Sequence, residues 1–391
     1  MSHWIFTEEH EMFRKAVRAF LEKEVTPYIE QWEKEGETPR SLFRRMGELG
    51  YLGIKFPEEC GGSGLDVIME AVFTEELSRC GAGGVGAAIG AHTTIAMTNI
   101  WRYGTQEQKL KYLVPGIKGE AISALGVTEP SGGSDVSGIK TTAKQDGDFY
   151  ILNGSKTFIT NGVNADYVIV AAKTREAPVH RNISLFIVDT NSEGYSVGKK
   201  LKKLGWRSSD TGEIFFDHVK VPKENLIGKE NEGFHYIMNN FQYERMTLAL
   251  GCIGAAEKAL QLAIKYSKER IQFNQPLSEY QVLRHKMVDM AVDIEKARNI
   301  SYRALYLYNK GKDCVTEATM AKVYASEMLN RVTDQALQIH GGNGYMMEYP
   351  IQRIWRDARI QTIGGGTTQI MNEILTKQLG IISQPSKLQT Q

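Results

Sequence analysis

The hydrophobic repeat of this chain changes twice, and that change limits the folds open to it. Over residues 1–122 apolar side chains recur three or four positions apart, the period of one helix face. EEHEMFRKAVRAFLEKEVTPYIEQWEKEG runs this way with a break at Pro27. PRSLFRRMGELGYLGI and DVIMEAVFTEELSRC follow, separated by a glycine-rich turn, FPEECGGSGLD. Over residues 123–232 the segments become short and β-rich: FYILNGSKTFIT, DYVIVAAKT, ISLFIVDT and GEIFFDHVKVP, parted by turn residues such as Asn153-Gly154 and Asn161-Gly162. From residue 233 to residue 391 the helical period returns in longer runs, with short connections that suit an antiparallel bundle. The pattern predicts an α+β chain: an N-terminal helical domain, a middle β domain (a sheet or barrel) and a C-terminal antiparallel helical bundle. The last stretch, SQPSKLQTQ, is polar and is expected to fray.

Composition excludes several functions. A chain of 391 residues, 42% hydrophobic and 24% charged, has the make-up of a globular protein with two or three cores. A formal net charge of +1 argues against a nucleic-acid or membrane-surface partner. Cys60, Cys80, Cys252 and Cys314 are widely spaced, so they read as free thiols in a reducing compartment, and no metal site is expected. The start, MSHWIFTEEHEMF, lacks a basic flank and an apolar core, so a cytoplasmic location is expected. No unbroken apolar run approaches the roughly 18 residues of a membrane span.

FQYERMTLALGCIGAA, residues 241–256, places a charged pair inside an apolar helical run. The helix neighbours of Glu244 are Ile237, Phe241, Leu248 and Gly251, with Asn240 and Thr247 at the edges. Its carboxylate therefore lies on the apolar stripe, where burial raises a carboxyl pKa and an unpaired charge is costly. Two readings stand: a structural ion pair with Arg245, or a base.

Several glycine-rich stretches raise a similar question. GAGGVG at 81–86 fits G-x-G-x-x-G but follows a helical pattern rather than a strand, so it reads as a loop between helices. GVTEPSGGSDVSG, at the junction of the helical and β zones, is either a tight boundary loop or a backbone cradle for a flat heterocycle or phosphate. QIHGGNGYMMEYPIQRIWRD allows the same two readings, with Glu348, Arg353 and Asp357 as a possible charge network. IGGGTTQI puts three glycines before a helix that Thr367 or Thr368 can cap, and it offers no acid or base from Ile363 to Gly366.

Read together, these stretches resemble the flavin-dependent acyl-CoA dehydrogenase family. GVTEPSGGSDVSG looks like its first signature and QIHGGNGYMMEYPIQRIWRD like its second. The resemblance continues through KTFITNG, LGWRSSDTGEIFFDHVKVP, ERIQFNQP and GGGTTQI. It implies the same three-domain layout with a C-terminal four-helix bundle, a homotetramer, FAD as cofactor, and electrons passed to an electron-transfer flavoprotein. It implies an α,β-dehydrogenation of an acyl thioester, as in fatty-acid β-oxidation, with a raised-pKa carboxylate as base and FAD taking the hydride.

The resemblance also implies roles for single residues. Leu125, Val127, Thr128 and Gly133 would approach the flavin, and Ser134 would touch flavin phosphate or the CoA arm. Phe158, Ile159 and Thr160 would lie against the isoalloxazine, with Phe158 standing where many relatives carry tryptophan. Arg270, Gln272, Phe273 and Gln281 would reach the FAD of a neighbouring subunit, as would Gln338, Gly341 and Gly342. Thr367 and Gln369 would hold the cofactor's other end. Gln242, Arg245, Gly365 and Gly366 would line the acyl-CoA site with Ser134.

One departure decides between the readings of Glu244. Most relatives carry the catalytic glutamate where this chain has Gly365; the long-chain and isovaleryl-CoA subgroups place it before an arginine on the first helix of the C-terminal domain. Glu244, followed by Arg245, matches the second arrangement. YIMNN, MAKVYASE and HGGNGYMMEYP look closer to the long-chain group. A branched short-chain dehydrogenase, a flavin oxidase or monooxygenase of the same fold, and a catalytically silent scaffold are the alternatives.

Overall fold

The computed structural model describes residues 3–176 and 180–382, so the polar end SQPSKLQTQ lies outside the described residues. The chain divides into two compact units. One holds residues 12–73 and 82–241; the other holds 1–11, 74–81 and 242–391.

The N-terminal part is helical, as its period predicts. The helices are α1 (Glu8–Glu24), α2 (Ile29–Glu35), α3 (Arg40–Glu48), α4 (Val67–Arg79), α5 (Gly83–Gly90), α6 (Met97–Tyr103), α7 (Gln106–Gln108) and α8 (Val114–Ile117). Pro27 sits in a 3₁₀ turn, Thr26–Tyr28, that separates α1 from α2, because proline lacks the N–H that would continue the ladder. GAGGVG differs from its expectation. Only its first residues form the turn, with Gly81 at φ +79°, and Gly83 already begins α5. Gly84 is helical for packing: a Cβ there would lie 2.4 Å from Ser208 Oγ, so glycine's cost in a helix is offset by close approach.

The middle part is an open sheet rather than a barrel. Its strands are β1 (Ser123–Gly126), β2 (Thr142–Asp146), β3 (Phe149–Thr160), β4 (Tyr167–Lys173), β5 (Ile183–Asp189), β6 (Tyr195–Lys200), β7 (Thr211–Pro222) and β8 (Leu226–Ile227). They run in the order β6-β7-β3-β2-β4-β5-β8, with β1 parallel to β4. YVIVAAK and ISLFIVD are apolar without alternation because both faces of β4 and β5 are buried. β3 and β7 pair antiparallel with a register shift between Lys156 and Ile159, where Thr157 and Phe158 of β3 oppose the single residue Glu213 of β7.

The C-terminal part is built on α9 (Gly233–Glu269), α10 (Gln281–Asn309), α11 (Val315–His340), α12 (Pro350–Ala358) and α13 (Thr368–Gln378). A two-stranded hairpin, β9 (Ile271–Gln272) with β10 (Gln275–Pro276), joins α9 to α10. Ala249, Cys252, Ala256, Ala259 and Ala263 of α9 meet Ala321, Ala325, Met328 and Val332 of α11 in one core. Small side chains there let long helices approach closely. Gly254 takes this furthest, since a Cβ would lie 2.2 Å from the Glu75 carbonyl oxygen. By length and composition α9 could cross a bilayer, against the sequence expectation, yet half of its most apolar window is buried within the protein. Its apolarity arises from helix packing on more than one side rather than from one unbroken apolar run.

Candidate active site

In the unit that carries the sheet, the predicted flavin residues gather around β1 and the bulged end of β3. β1 carries Leu125 and leads into Val127 and Thr128. The Thr157 N–H donates to the Thr128 carbonyl at 2.9 Å, tying the loop to β3. Gly133 folds back on Thr128, since a Cβ there would sit 3.2 Å from Thr128 Cγ2. Ser134 is exposed further along the same loop. The bulge turns Phe158 outward: it is 68% exposed and holds φ +59°, while Ile159 beside it is buried and Thr160 half-buried. A left-handed backbone costs a non-glycine residue about 1–2 kcal/mol, and such conformations cluster where a ligand is met.

Sequence reasoning missed Lys156. Its ammonium is fully buried and donates to the Val127 carbonyl at 3.1 Å and to Glu129 Oε1 at 2.8 Å. Burial lowers the Lys156 pKa to about 8, with Glu129 acting the other way. Burial pushes the Glu129 carboxyl up, but Lys156, Thr141 and the Lys140 N–H together hold it below its ordinary value. This cluster sets the backbone from which Val127 and Thr128 project.

In the other unit, two groups of predicted cofactor residues share one end of the helices. The Arg270 N–H donates to the Tyr266 carbonyl at 2.8 Å at the end of α9. Gln272 is in β9, and its carbonyl accepts from Tyr280 Oη at 2.9 Å. Phe273, at φ +50°, occupies the hairpin tip and is 90% exposed. Gln281 opens α10 and is also exposed. Tyr266 stacks on His340 with ring centroids 4.4 Å apart and accepts from Asn343 Nδ2 at 3.0 Å. Tyr266 thus joins the hairpin to the end of α11, where Gln338 is exposed and the Gly341 N–H closes the helix on the Gln338 carbonyl. Gly341 and Gly342 have open space where a Cβ would stand. The expected charge network of Glu348, Arg353 and Asp357 is not formed at Arg353. Its Nε–H donates instead to the Gly81 carbonyl at 2.9 Å, because the turn at Gly81 presents an oxygen directly to it.

A second site in this unit surrounds Glu244. Glu244, Leu248 and Cys252 follow one another at single turns along α9. Glu244 and Leu248 are half-buried, whereas Tyr243, Met246, Ala249 and Leu250 are buried. The apolar stripe of Glu244 is therefore a partly open face and not the centre of the core. Gln242 is half-buried one residue before Tyr243. Arg245 is buried, and burial holds its pKa below the ordinary value against the opposing charge of Glu244.

The glycine loop meets this face. A Cβ on Gly365 would lie 3.2 Å from Leu248 Cδ1, one turn from Glu244. Gly365 and Gly366 take φ +65° and +97°, conformations that suit glycine. Thr367 caps α13 by accepting from the Ile370 N–H at 3.3 Å, and Gln369 is exposed on its first turn. Lys322 of α11, fully buried, donates to the Gly366 carbonyl. Burial lowers the Lys322 pKa to about 8, and burial pushes the Cys252 thiol up to about 12. Lys322 was also missed in the sequence, although its signal matches that of Glu244: a charge among Ala318, Ala321 and Ala325 on an apolar stripe.

These residues fit a flavin dinucleotide. Within the sheet-bearing unit, the exposed Phe158 at positive φ and the bare backbone of Gly132 offer ring surface and N–H groups to a flat heterocycle or phosphate; within the other unit, by itself, Phe273, Gly341 and Gly342 offer the same. Comparison with known proteins agrees. The sequence models for the acyl-CoA dehydrogenase N-terminal, middle and C-terminal domains match residues 7–120, 124–219 and 231–380. The chain is 42% identical over 378 residues to the mitochondrial long-chain specific acyl-CoA dehydrogenase of Rattus norvegicus, covering 96% of this chain and 87% of that protein. It is 41% identical over 375 residues to the Caffeyl-CoA reductase-Etf complex subunit CarC of Acetobacterium woodii, covering 96% and 99%. Its fold superposes on an acyl-CoA dehydrogenase from Geobacillus kaustophilus with a TM-score of 0.94 at 44% identity, covering 97% and 100%. The chain belongs to the acyl-CoA dehydrogenase family. It is accordingly an FAD-dependent oxidoreductase acting on CH–CH groups.

Proposed function

We propose that this enzyme converts an acyl-CoA thioester to its trans-2-enoyl-CoA, with Glu244 as the base. The observation that carries the reading is the placement of Gly365 beside Leu248. The loop where most relatives carry their glutamate packs one turn from Glu244, so a carboxylate on α9 serves the same place. Glu244 takes the α proton onto a carboxylate oxygen. Bound FAD would supply the hydride acceptor for the β hydrogen. The Gly365 N–H donates to the thioester oxygen as negative charge develops there, a contribution of about 10²–10³ in rate for one such donor. Val127, Thr128, Phe158, Ile159 and Thr160 would hold the ring. Arg245 and Gln242 bind on the CoA side with Ser134 and Gly366.

The FAD site is completed by a second subunit of a homotetramer. Lys322, which holds the Gly366 loop, and Gln338 stand on the same helix about 24 Å apart at 1.5 Å per residue. The exposed Arg270–Gln281 and Gln338–Gly342 group is thus far along α11 from the loop, and its exposure suits a neighbour's cofactor. Electrons leave to an electron-transfer flavoprotein, a reading supported by the name of the Acetobacterium woodii relative. The acyl group is long or branched, as the placement of Glu244 before Arg245 suggests.

Anaerobic mixing of the FAD-loaded enzyme with a chain-length series of acyl-CoAs tests this. Bleaching of the flavin by one range of chain lengths is expected, followed by fast reoxidation by electron-transfer flavoprotein and slow reoxidation by air. Oxygen consumption matching turnover with that flavoprotein would mark an oxidase instead.

A further inference from the structure

We propose that Lys322 is a positioning residue for the thioester-binding backbone, its ammonium fixing the loop that presents the Gly365 N–H. The inference rests on the reading of Gly365 given above. Two consecutive glycines with positive φ have wide conformational freedom, so their own chain does not define the loop. Something outside it must. On the far side Thr367 anchors the loop to α13. Lys322 supplies the second anchor through the Gly366 carbonyl.

The surroundings of Lys322 show why a lysine here needs a reason. It is fully buried in an alanine-rich core between α9 and α11, where an apolar side chain would pack without desolvating a charge. Burial and Arg245 oppose its charge, while Glu327 of α11 favours it. Among the described residues, its hydrogen bond is the one to Gly366. Gly365 lies beside Leu248 of α9 on one side, and Lys322 holds Gly366 to α11 on the other. The loop is clamped between the helix that carries the base and the helix that carries the cation, which fixes the distance between Glu244 and the Gly365 N–H. A small misplacement there is costly to the chemical step and nearly neutral for binding a long CoA ester.

The test compares purified FAD-loaded wild type with Lys322→Met, Lys322→Gln and the packing control Cys252→Ala. Flavin reduction in anaerobic stopped flow gives the limiting rate and the half-saturating acyl-CoA concentration. Lys322→Met is expected to lose about 10–100-fold in limiting rate, the scale of a hydrogen bond to a charged group, with half-saturation changed only severalfold. Lys322→Gln, which keeps an N–H donor, recovers part of the loss. Cys252→Ala lowers Tm without slowing reduction. Hydrogen exchange of the enzyme without substrate gives an independent readout, with amides of 365–367 exchanging faster in Lys322→Met. A wild-type limiting rate in Lys322→Met, with loop exchange unchanged, overturns the proposal and leaves Lys322 as packing. If no acyl-CoA reduces the wild type, the dehydrogenase reading fails, and the exchange measurement decides the tether by itself.

Discussion

Two residues near Glu244, Arg245 in sequence and Gly365 beside Leu248 one turn along α9, each give an expectation. The buried guanidinium of Arg245 follows it in sequence, and burial already disfavours that charge. Lysine cannot reproduce the planar, forked donor geometry of arginine. Arg245→Lys is therefore expected to raise KM more than it lowers kcat, measured by steady-state reduction of an electron acceptor. On the other side lies Gly365. Moving the carboxylate to the loop, as in Glu244→Gly with Gly365→Glu, should recover part of the activity lost in Glu244→Gly alone. The structure adds two costs: a glutamate at φ +65° is strained, and its Cβ meets Leu248 at 3.2 Å. Adding Leu248→Val to the double variant is expected to improve the recovery. No recovery in either background, with FAD retained, would show that the loop does not deliver a carboxylate to the substrate.

At the scale of elements, the π-helical turn Ala91–Ala96 carries a histidine held neutral. His92 is fully buried, with Nε2–H donating to the Gly116 carbonyl at 2.9 Å and Nδ1 accepting from the Ser123 N–H at 3.1 Å. A proton on Nδ1 would face that N–H. Burial lowers its pKa from 6.5 to about 4, with the Gly116 bond and Asp166 opposing. The unfolded chain therefore binds the extra proton first, so this contribution to stability is complete above about pH 6.5 and is lost as pH falls towards 4. The full loss is about 3 kcal/mol at 1.36 kcal/mol per pH unit. Urea unfolding between pH 7 and pH 4.5 should show a flatter pH dependence in His92→Gln than in wild type; equal slopes would contradict the assignment. The elements themselves were largely legible, because hydrophobic period reports which face each one buries. α4 and α11 follow it closely, and β4 and β5 read as unbroken apolar runs with both faces buried. What was not legible depends on partners distant in sequence. The bulge at Phe158 exists only in the register of β3 against β7, and Gly84 is helical because Ser208 presses against it. Lys322 was legible in principle, being a charge on an apolar stripe like Glu244, but nothing local in the sequence shows that its end meets Gly366.

For the whole molecule, the account requires that one chain leave part of its cofactor machinery on its own surface. Phe273, Gln281 and Gln338 are exposed, and the Tyr266–His340 stack joins the end of α9 to the end of α11 beside them. Gln338→Ala should weaken FAD retention and tetramer stability together, measured as flavin content and oligomer mass across a dilution series. Full FAD content in an isolated monomer would contradict a shared site. The central claim, that the base is on α9, has its most direct test in single-turnover flavin bleaching of Glu244→Gln. That variant is expected to keep FAD and bind acyl-CoA while bleaching at least about 10²–10⁴ times more slowly than wild type, the usual loss for a positioned base. Bleaching at a near-normal rate would contradict the account and require a different carboxylate.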